Sequence, residues 1–319
     1  MTLTELRYLL AVDKLRHFGR AAESCFVSQP SLSVAIRKLE EELGVAIFER
    51  RSTEISVTPV GARIIEQARR VLDEAHRIYD VAVSAQDPLS IPVRLGVIPT
   101  VAPYLLPPML AELSRTVKQM PVYLEEGFTS MLLNKLKDGE LDVAIMANTV
   151  ERSGLMIQEL YEEDFVVAVP RHHAWINRSF INPDELGEQT MLLLSAGHCF
   201  RDQVLSVCSE LKTPAYQSPR TAINQGHMVE GTSLQTICHM VAQGLGINVL
   251  PSSAVPYLAE ANSRLRILNF RTPAPQRRVI MGWRKSFPRM SAIEALVKAA
   301  RTVVLNGCNM LDESPRYDK

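Results

Sequence analysis

One stretch of this chain constrains its architecture more than any other. After Thr58-Pro59, a cap followed by a proline in the first helical turn, apolar residues recur at Ile64, Ile65, Ala68, Val71, Leu72, Ala75, Ile78, Tyr79 and Ala82. This i, i+3, i+4 seam holds for about five turns. Asp87-Pro88-Leu89-Ser90-Ile91-Pro92 then blocks its continuation with two prolines. A single helix of that length at a domain boundary cannot hide its stripe by itself. It packs on its own domain or on a second copy, and the length of the seam favours a dimerising linker helix over 58–86. The chain is thereby divided into a first region, 1–57, a hinge over 87–92, a long region over 93–305, and a tail over 306–319.

The first region is a chain of short helices with their punctuation in place. Thr2-Leu3-Thr4-Glu5 is a capping box, and Leu6, Leu9, Leu10 and Val12 follow it. A second helix is expected over Phe18–Cys25, with Ala21 and Ala22 as small packing residues. Phe26-Val27-Ser28 turns into a third helix, capped by Ser28, opened by Pro30 and stopped by Gly44. Leu32, Ile36, Leu39 and Leu43 bury one face of it. Two helices at a tight turn make a helix-turn-helix, whose second helix enters the major groove by its N-terminal part. That edge offers Gln29, Pro30, Ser31, Ser33, Val34 and Arg37. Gln pairs bidentately with adenine and Arg with guanine. Val45–Phe48 and Ile55–Val57 read as a two-stranded wing, with Arg50 and Arg51 at its tip suited to phosphate or the minor groove.

Charge does not single out this region as basic. The whole chain balances 35 Lys+Arg against 35 Asp+Glu, and residues 1–87 carry one net negative charge. Glu40, Glu41 and Glu42 crowd the far end of the third helix, so helix dipoles and paired wings must supply the attraction for DNA. No apolar run reaches the ~18–20 residues of a membrane span, and the N-terminus lacks a signal-peptide pattern. A cytoplasmic location is expected. Five cysteines there form no structural disulfide framework.

Beyond the hinge the pattern alternates strand and helix, an α/β fold with mostly parallel strands. Strands are expected at Val93–Val97, Val122–Glu125, Asp142–Met146, Phe165–Val169, Met191–Leu194, Gly246–Leu250, Leu265–Leu268 and Val279–Trp283. Helices are expected at Ser130–Asp138, Arg201–Leu211 and Ser233–Gln243. Ligands of such sheets sit beyond the carboxyl ends of the strands. Thr100, Thr129 and His198-Cys199 each follow a strand end, where a threonine caps a helix, contacts a ligand, or does both. Cys199 opens a helix beside a histidine and an arginine, a setting that lowers a thiol pKa. Cys208 lies nine residues on. If the intervening segment is helical it spans about 13–14 Å, beyond the ~7 Å that a disulfide tolerates, so oxidation would force a rearrangement. Spacing alone leaves open that the two cysteines are unrelated. Cys25, Cys238 and Cys308 read as inert, and no metal-ligand spacing is present.

The run His17-Phe18-Gly19-Arg20-Ala21-Ala22-Glu23, then Val27-Ser28-Gln29-Pro30-Ser31-Leu32-Ser33, Ile36-Arg37-Lys38-Leu39-Glu40 and Leu43-Gly44, resembles the LysR-type transcriptional regulators, as do Phe48-Glu49-Arg50 and Thr58-Pro59-Val60-Gly61. The resemblance implies a winged helix-turn-helix, a dimerising linker helix and a two-lobed, periplasmic-binding-protein-like regulatory domain, usually in a homotetramer (a dimer of dimers). Gly197-His198-Cys199-Phe200-Arg201-Asp202-Gln203 with Cys208, and Ile98-Pro99-Thr100-Val101-Ala102-Pro103-Tyr104-Leu105-Leu106-Pro107, resemble the peroxide-sensing OxyR branch of that family. Carried over, Cys199 is the peroxidatic and Cys208 the resolving cysteine. Thr100 and Thr129 match positions that hold peroxide or water, while His198, Asp202 and Arg278 match polar neighbours. The partners so implied are promoter DNA, RNA polymerase, hydrogen peroxide and a thiol reductant such as glutaredoxin or thioredoxin, with no cofactor, metal or membrane. Two other classes are a LysR-type regulator answering to a small organic effector between the lobes, and a thiol peroxidase.

Overall fold

The computed structural model describes residues 1–50, 55–84, 89–147, 154–207, 228–258 and 263–311. It divides into two compact units, Met1–Gln86 and Asp87–Lys319.

The first unit holds α1 (Leu3–Leu15), α2 (Phe18–Ser24), α3 (Gln29–Leu43), β1 (Phe48–Arg50), β2 (Ile55–Val57) and α4 (Pro59–Ser84). Its boundaries are set by side chains. Thr2 and Glu5 close a capping box on α1, and Ser28 accepts the Ser31 amide at the start of α3. Gly44 ends α3 in the left-handed conformation. Leu6, Leu9, Val12, Leu32, Ile36 and Leu39 pack with Ile65 and Ala68 of α4 in one core. Glu40 is not merely a distal acid: its Oε1 accepts the amides of Ile47 (2.7 Å) and Phe48 (3.0 Å) and so fixes the start of the wing. The wing begins at Phe48, three residues later than the expected Val45, because this anchored turn precedes it.

The α4 seam serves two purposes. Ile64, Ile65, Ala68 and Leu72 join the unit's own core, whereas Val60, Val71 and Ile78 are exposed. Met1, Leu6, Leu43, Val60, Ile64 and Val71 line an open, largely apolar groove beside it.

The second unit holds β3 (Val93–Val97), α5 (Ala102–Thr116), β4 (Val122–Glu126), α6 (Thr129–Lys137), β5 (Val143–Ala147), β6 (Leu155–Pro170), β7 (Phe180–Ile181), β8 (Met191–Leu194) and α7 (Cys199–Val207). There follow β9 (Met228–Gly231), α8 (Leu234–Ala242), β10 (Asn248–Pro251), α9 (Val255–Leu258), β11 (Leu265–Phe270), β12 (Gln276–Arg284), α10 (Met290–Thr302) and β13 (Cys308–Met310). The expected parallel bias does not hold. Pairs β3–β4, β3–β5, β7–β11 and β8–β9 are parallel, but β6 is antiparallel to each of β10, β11, β12 and β13. The reason is that β6 runs through both lobes. Its first part pairs with β12 over Leu155–Asp164, and its second part pairs with β10 and β11 over Phe165–Pro170. Two cores result, one built on β3, α5, β5 and α10, the other on the end of β6, β8 and α8. Residues 308–310, expected in the tail, form the strand β13 against β6.

The segment that leads into β3 is held in place. Arg289, buried, donates to the carbonyls of Ile91 (2.9 Å) and Pro92 (3.0 Å) and lies 3.6 Å from Asp142.

Gly61 gives a direct test of packing in the first unit. A Cβ built there would lie 2.3 Å from the Ile47 carbonyl oxygen and 2.9 Å from Thr58 Oγ1, which also accepts the Gly61 amide. Gly61→Ala should therefore cost about 1–3 kcal/mol in chemical denaturation of the first unit, despite the better helix propensity of alanine. Unchanged or increased stability would contradict this close approach.

Candidate functional site

Cys199 is the first residue of α7 and sits at the seam of the two lobes. Its own side chain packs against the β3–β5 core, while the next residue, Phe200, is buried in the β8–α8 core. The helix geometry sorts the rest. Phe200, Gln203 and Val204 are buried, whereas Asp202 and Ser206 lie on the exposed side. Gln203 stands one turn from Cys199, on the same face. Among the described residues neither amide atom of Gln203 has a hydrogen-bond partner, although both are buried. Sequence reasoning did not single out this residue; its i+4 spacing from Cys199 was the available signal.

Across the seam, the start of α6 brings Phe128 and Thr129. The Phe128 ring meets the His198 imidazole edge-on at 4.8 Å between centroids. Thr129 Oγ1 is buried and has no hydrogen-bond partner among the described residues. A buried hydroxyl without a partner is costly in a dry site and is the kind of group that a bound polar molecule satisfies. His198 is itself buried. Desolvation lowers its pKa, opposed by a hydrogen bond with the Thr232 backbone, so the ring is neutral at pH 7 and acts through hydrogen bonds, not charge.

The cation at this site is Arg277. The sheet register decides it: Arg277 pairs across β6 with Glu163, and Arg278 with Glu162. Side chains alternate along a strand, so adjacent arginines point to opposite faces. Arg277 is fully buried. Its Nε donates to Glu163 Oε1 at 2.7 Å, and its terminal nitrogens donate to Thr100 Oγ1 and the Thr100 carbonyl at 2.9 Å each. The guanidinium lies 5.0 Å from the Phe200 ring centroid. Burial pulls the Arg277 pKa down, but the Glu163 carboxylate beside it outweighs this and holds the pKa above the ordinary arginine value. Arg278, the residue expected from the sequence, is on the partly exposed face and is paired with Glu159 and Glu162. Asp202 also falls outside the buried cluster. Its side chain is 75% exposed, 3.9 Å from Arg201 in the first turn of α7, where an acid favours the helix dipole. Arg201 instead ties α7 to Glu230 at 2.9 Å. The structure thus ties Thr100 to Arg277, which lies on the ring of Phe200 next to Cys199, and sets Phe128, next to Thr129, against His198; Arg278 and Asp202 lie outside this cluster.

Cys208 lies outside the described residues. Of the other thiols, burial pushes Cys238 up to about 12, and burial and the Glu163 charge push Cys308 higher still. Both stay protonated and unreactive near neutral pH.

In the first unit, Gln29, Pro30, Ser31, Val34 and Arg37 are exposed along α3 and Ser33 is half-buried. Val34 is 63% exposed, an apolar side chain left open on the face that otherwise carries Gln29, Ser31 and Arg37. Arg50 ends β1, and Arg51 lies outside the described residues. Among the described residues no group of acidic, histidine and cysteine side chains could hold a metal ion, and no helix is long and apolar enough to cross a membrane.

Comparisons with known proteins agree with this architecture. Residues 3–62 match the bacterial regulatory helix-turn-helix protein model of the lysR family, and residues 86–304 match the LysR substrate binding domain. The DNA-binding transcriptional dual regulator OxyR of Escherichia coli K12 is 36% identical over 301 residues, spanning 94% of this chain and 95% of that protein. Full-length OxyR of Pseudomonas aeruginosa, solved as a cysteine-to-aspartate mutant, is 42% identical with a TM-score of 0.77 over 99% of both chains. A cysteine-to-serine mutant of Corynebacterium glutamicum OxyR with hydrogen peroxide bound is 33% identical, with a TM-score of 0.62 over 94% of this chain and 92% of that one. With both family models matched over most of its length and a relative 36% identical over 94% of it, this chain belongs to the LysR family of transcriptional regulators.

Proposed function

We propose that this protein is a cytoplasmic, hydrogen-peroxide-sensing transcriptional regulator, switched by a reversible disulfide between Cys199 and Cys208. The observation that carries the reading is the company of Cys199 at the lobe seam: a fully buried guanidinium on Thr100, and two buried polar side chains, Thr129 and Gln203, without partners among the described residues. Together they offer donors and acceptors for a molecule as small and polar as peroxide. The likeness over the full chain length to an OxyR solved with hydrogen peroxide bound supports the same ligand.

The chemistry follows from the thiolate. Its sulfur attacks one peroxide oxygen and the O–O bond breaks, leaving a sulfenic acid on Cys199 and releasing hydroxide, which takes up a proton as water. The Cys208 thiol then displaces water from the sulfenic acid to give the disulfide. A dithiol reductant such as glutaredoxin or thioredoxin reverses it.

Helix α7 gives the switch its moving part. All residues from Cys199 to Val207 are helical, which separates the Cα atoms at its ends by about 12 Å. A disulfide tolerates only ~7 Å between Cα atoms, less than the span of this helix. Closing the bond therefore requires α7 to unwind. The exposed half of the α4 seam suits a dimer, and a dimer of dimers on promoter DNA would pass the change to RNA polymerase. The protein acts by stoichiometric oxidation rather than by turnover.

Thiol mapping tests the reading. After brief micromolar peroxide, full-length protein should contain a 199–208 bond, and Cys208→Ser should trap a sulfenic acid on Cys199. An unmodified Cys199, or a transcriptional response intact in Cys199→Ser, would favour a small organic effector instead. For the DNA-reading face, Arg37→Ala should lose about 1–3 kcal/mol of binding to the cognate site in a titration at fixed salt, and lose it unequally between cognate and altered sites. A uniform loss across sequences would make Arg37 a phosphate contact.

A further inference from the structure

Glu163 lies where β6 passes from one lobe to the other, and the sheet register places Arg277 of β12 on one side of it and Cys308 of β13 on the other. Paired neighbours in adjacent strands share a face, so the three side chains meet beneath the sensing seam. The Glu163 carboxylate is fully buried. Its Oε1 accepts from Arg277 Nε at 2.7 Å, and its Oε2 accepts from the Ser253 amide at 3.2 Å and from the Cys308 thiol at 3.8 Å. Because Nε is committed to Glu163, both terminal nitrogens of the guanidinium are turned to Thr100. The orientation of Arg277 is thus fixed from behind by a residue of the opposite strand.

The surrounding ionisable groups leave this pair as the main fixed charge. Burial holds Tyr104, Tyr161, Cys238 and Cys308 in their neutral forms, and His198 is neutral as well. On α7, Arg201 is paired with Glu230 and Asp202 faces solvent. The charges fixed inside the seam are then Arg277 and Glu163, with the Cys199 sulfur next to Phe200, on whose ring the guanidinium lies. In a poorly solvated site a guanidinium that already carries a counter-charge stabilises a second anion less than a free one does.

We propose that Glu163 is a positioning residue that acts on Cys199 through Arg277: it aims the guanidinium at the Thr100 side of the seam and, as its counter-charge, limits how far the guanidinium favours the Cys199 thiolate. Glu163 is thereby a built-in restraint on the reactivity of the thiol. The role rests on Cys199 being the reactive cysteine, but not on peroxide being its oxidant.

The test is the rate of Cys199 alkylation by iodoacetamide as a function of pH, measured on the reduced full-length protein without peroxide. In Glu163→Gln the amide oxygen still accepts from Nε while the charge is gone. The midpoint should fall by about one pH unit, read as about tenfold faster alkylation well below it, and Glu163→Asp should return it close to wild type. A folded Glu163→Gln protein whose midpoint is unmoved or raised would overturn the proposal. Should that variant not fold, the carboxyl 13C resonance of Glu163 in the wild type serves the same end. It should shift with the Cys199 midpoint and stay flat in Cys199→Ser; a flat response in the wild type would overturn the proposal equally. Alkylation reads the thiolate whatever the effector is, so a failure of peroxide sensing would leave this outcome separately legible.

Discussion

A desolvated ion pair, Arg277 with Glu163, is the interaction on which the regulatory domain's site depends. It joins β12 to β6 at the crossing between lobes, supplies Thr100 with two donors, and places positive charge over the ring of Phe200, the residue after Cys199. Such a pair earns its place only when both partners are present. Removing one leaves an unpaired buried charge at a cost of order 3–5 kcal/mol, while a well-packed apolar replacement of both would be nearly neutral for stability. A costly polar arrangement at a lobe seam is better understood as a device of the site than as a source of stability.

Opposite this ion pair stands α7, described over Cys199–Val207 and held in place by tertiary packing. Phe200 and Val204 anchor it to one core and Cys199 touches the other, while Gln203 is buried without a partner among the described residues. Sulfur chemistry at its first residue therefore acts where the helix meets both cores. A fixed ion pair on one side and a helix that begins at the cysteine on the other are the parts that a covalent switch needs.

Much of this was legible in the sequence because it depends on local chemistry. Thr2, Ser28, Gly44 and Thr58 announce their helix ends, and Val93–Val97 and Met191–Leu194 stand where the apolar runs put them. The failures are non-local. The sixteen residues of β6 carry Glu159, Glu162 and Glu163 amid apolar positions, so only the last five apolar residues read as a strand. That one strand takes part in every antiparallel pair of the regulatory domain's described strands except β5–β12. The choice between Arg277 and Arg278 is a question of register, which a single sequence does not contain. Asp202 and Gln203 are likewise separated only by which face of α7 turns inward. The motif names the neighbourhood of the thiol, and packing decides which of its polar members enter.

The central claim is mechanical: the Cys199–Cys208 bond and an intact α7 exclude one another. Amide hydrogen exchange of residues 199–207 in the full-length protein tests it most directly, comparing the reduced state with protein oxidised by one equivalent of peroxide. The account predicts protection across α7 in the reduced state, its loss on oxidation, and its return when a dithiol restores the thiols. A disulfide formed in full while the α7 amides remain protected would contradict it.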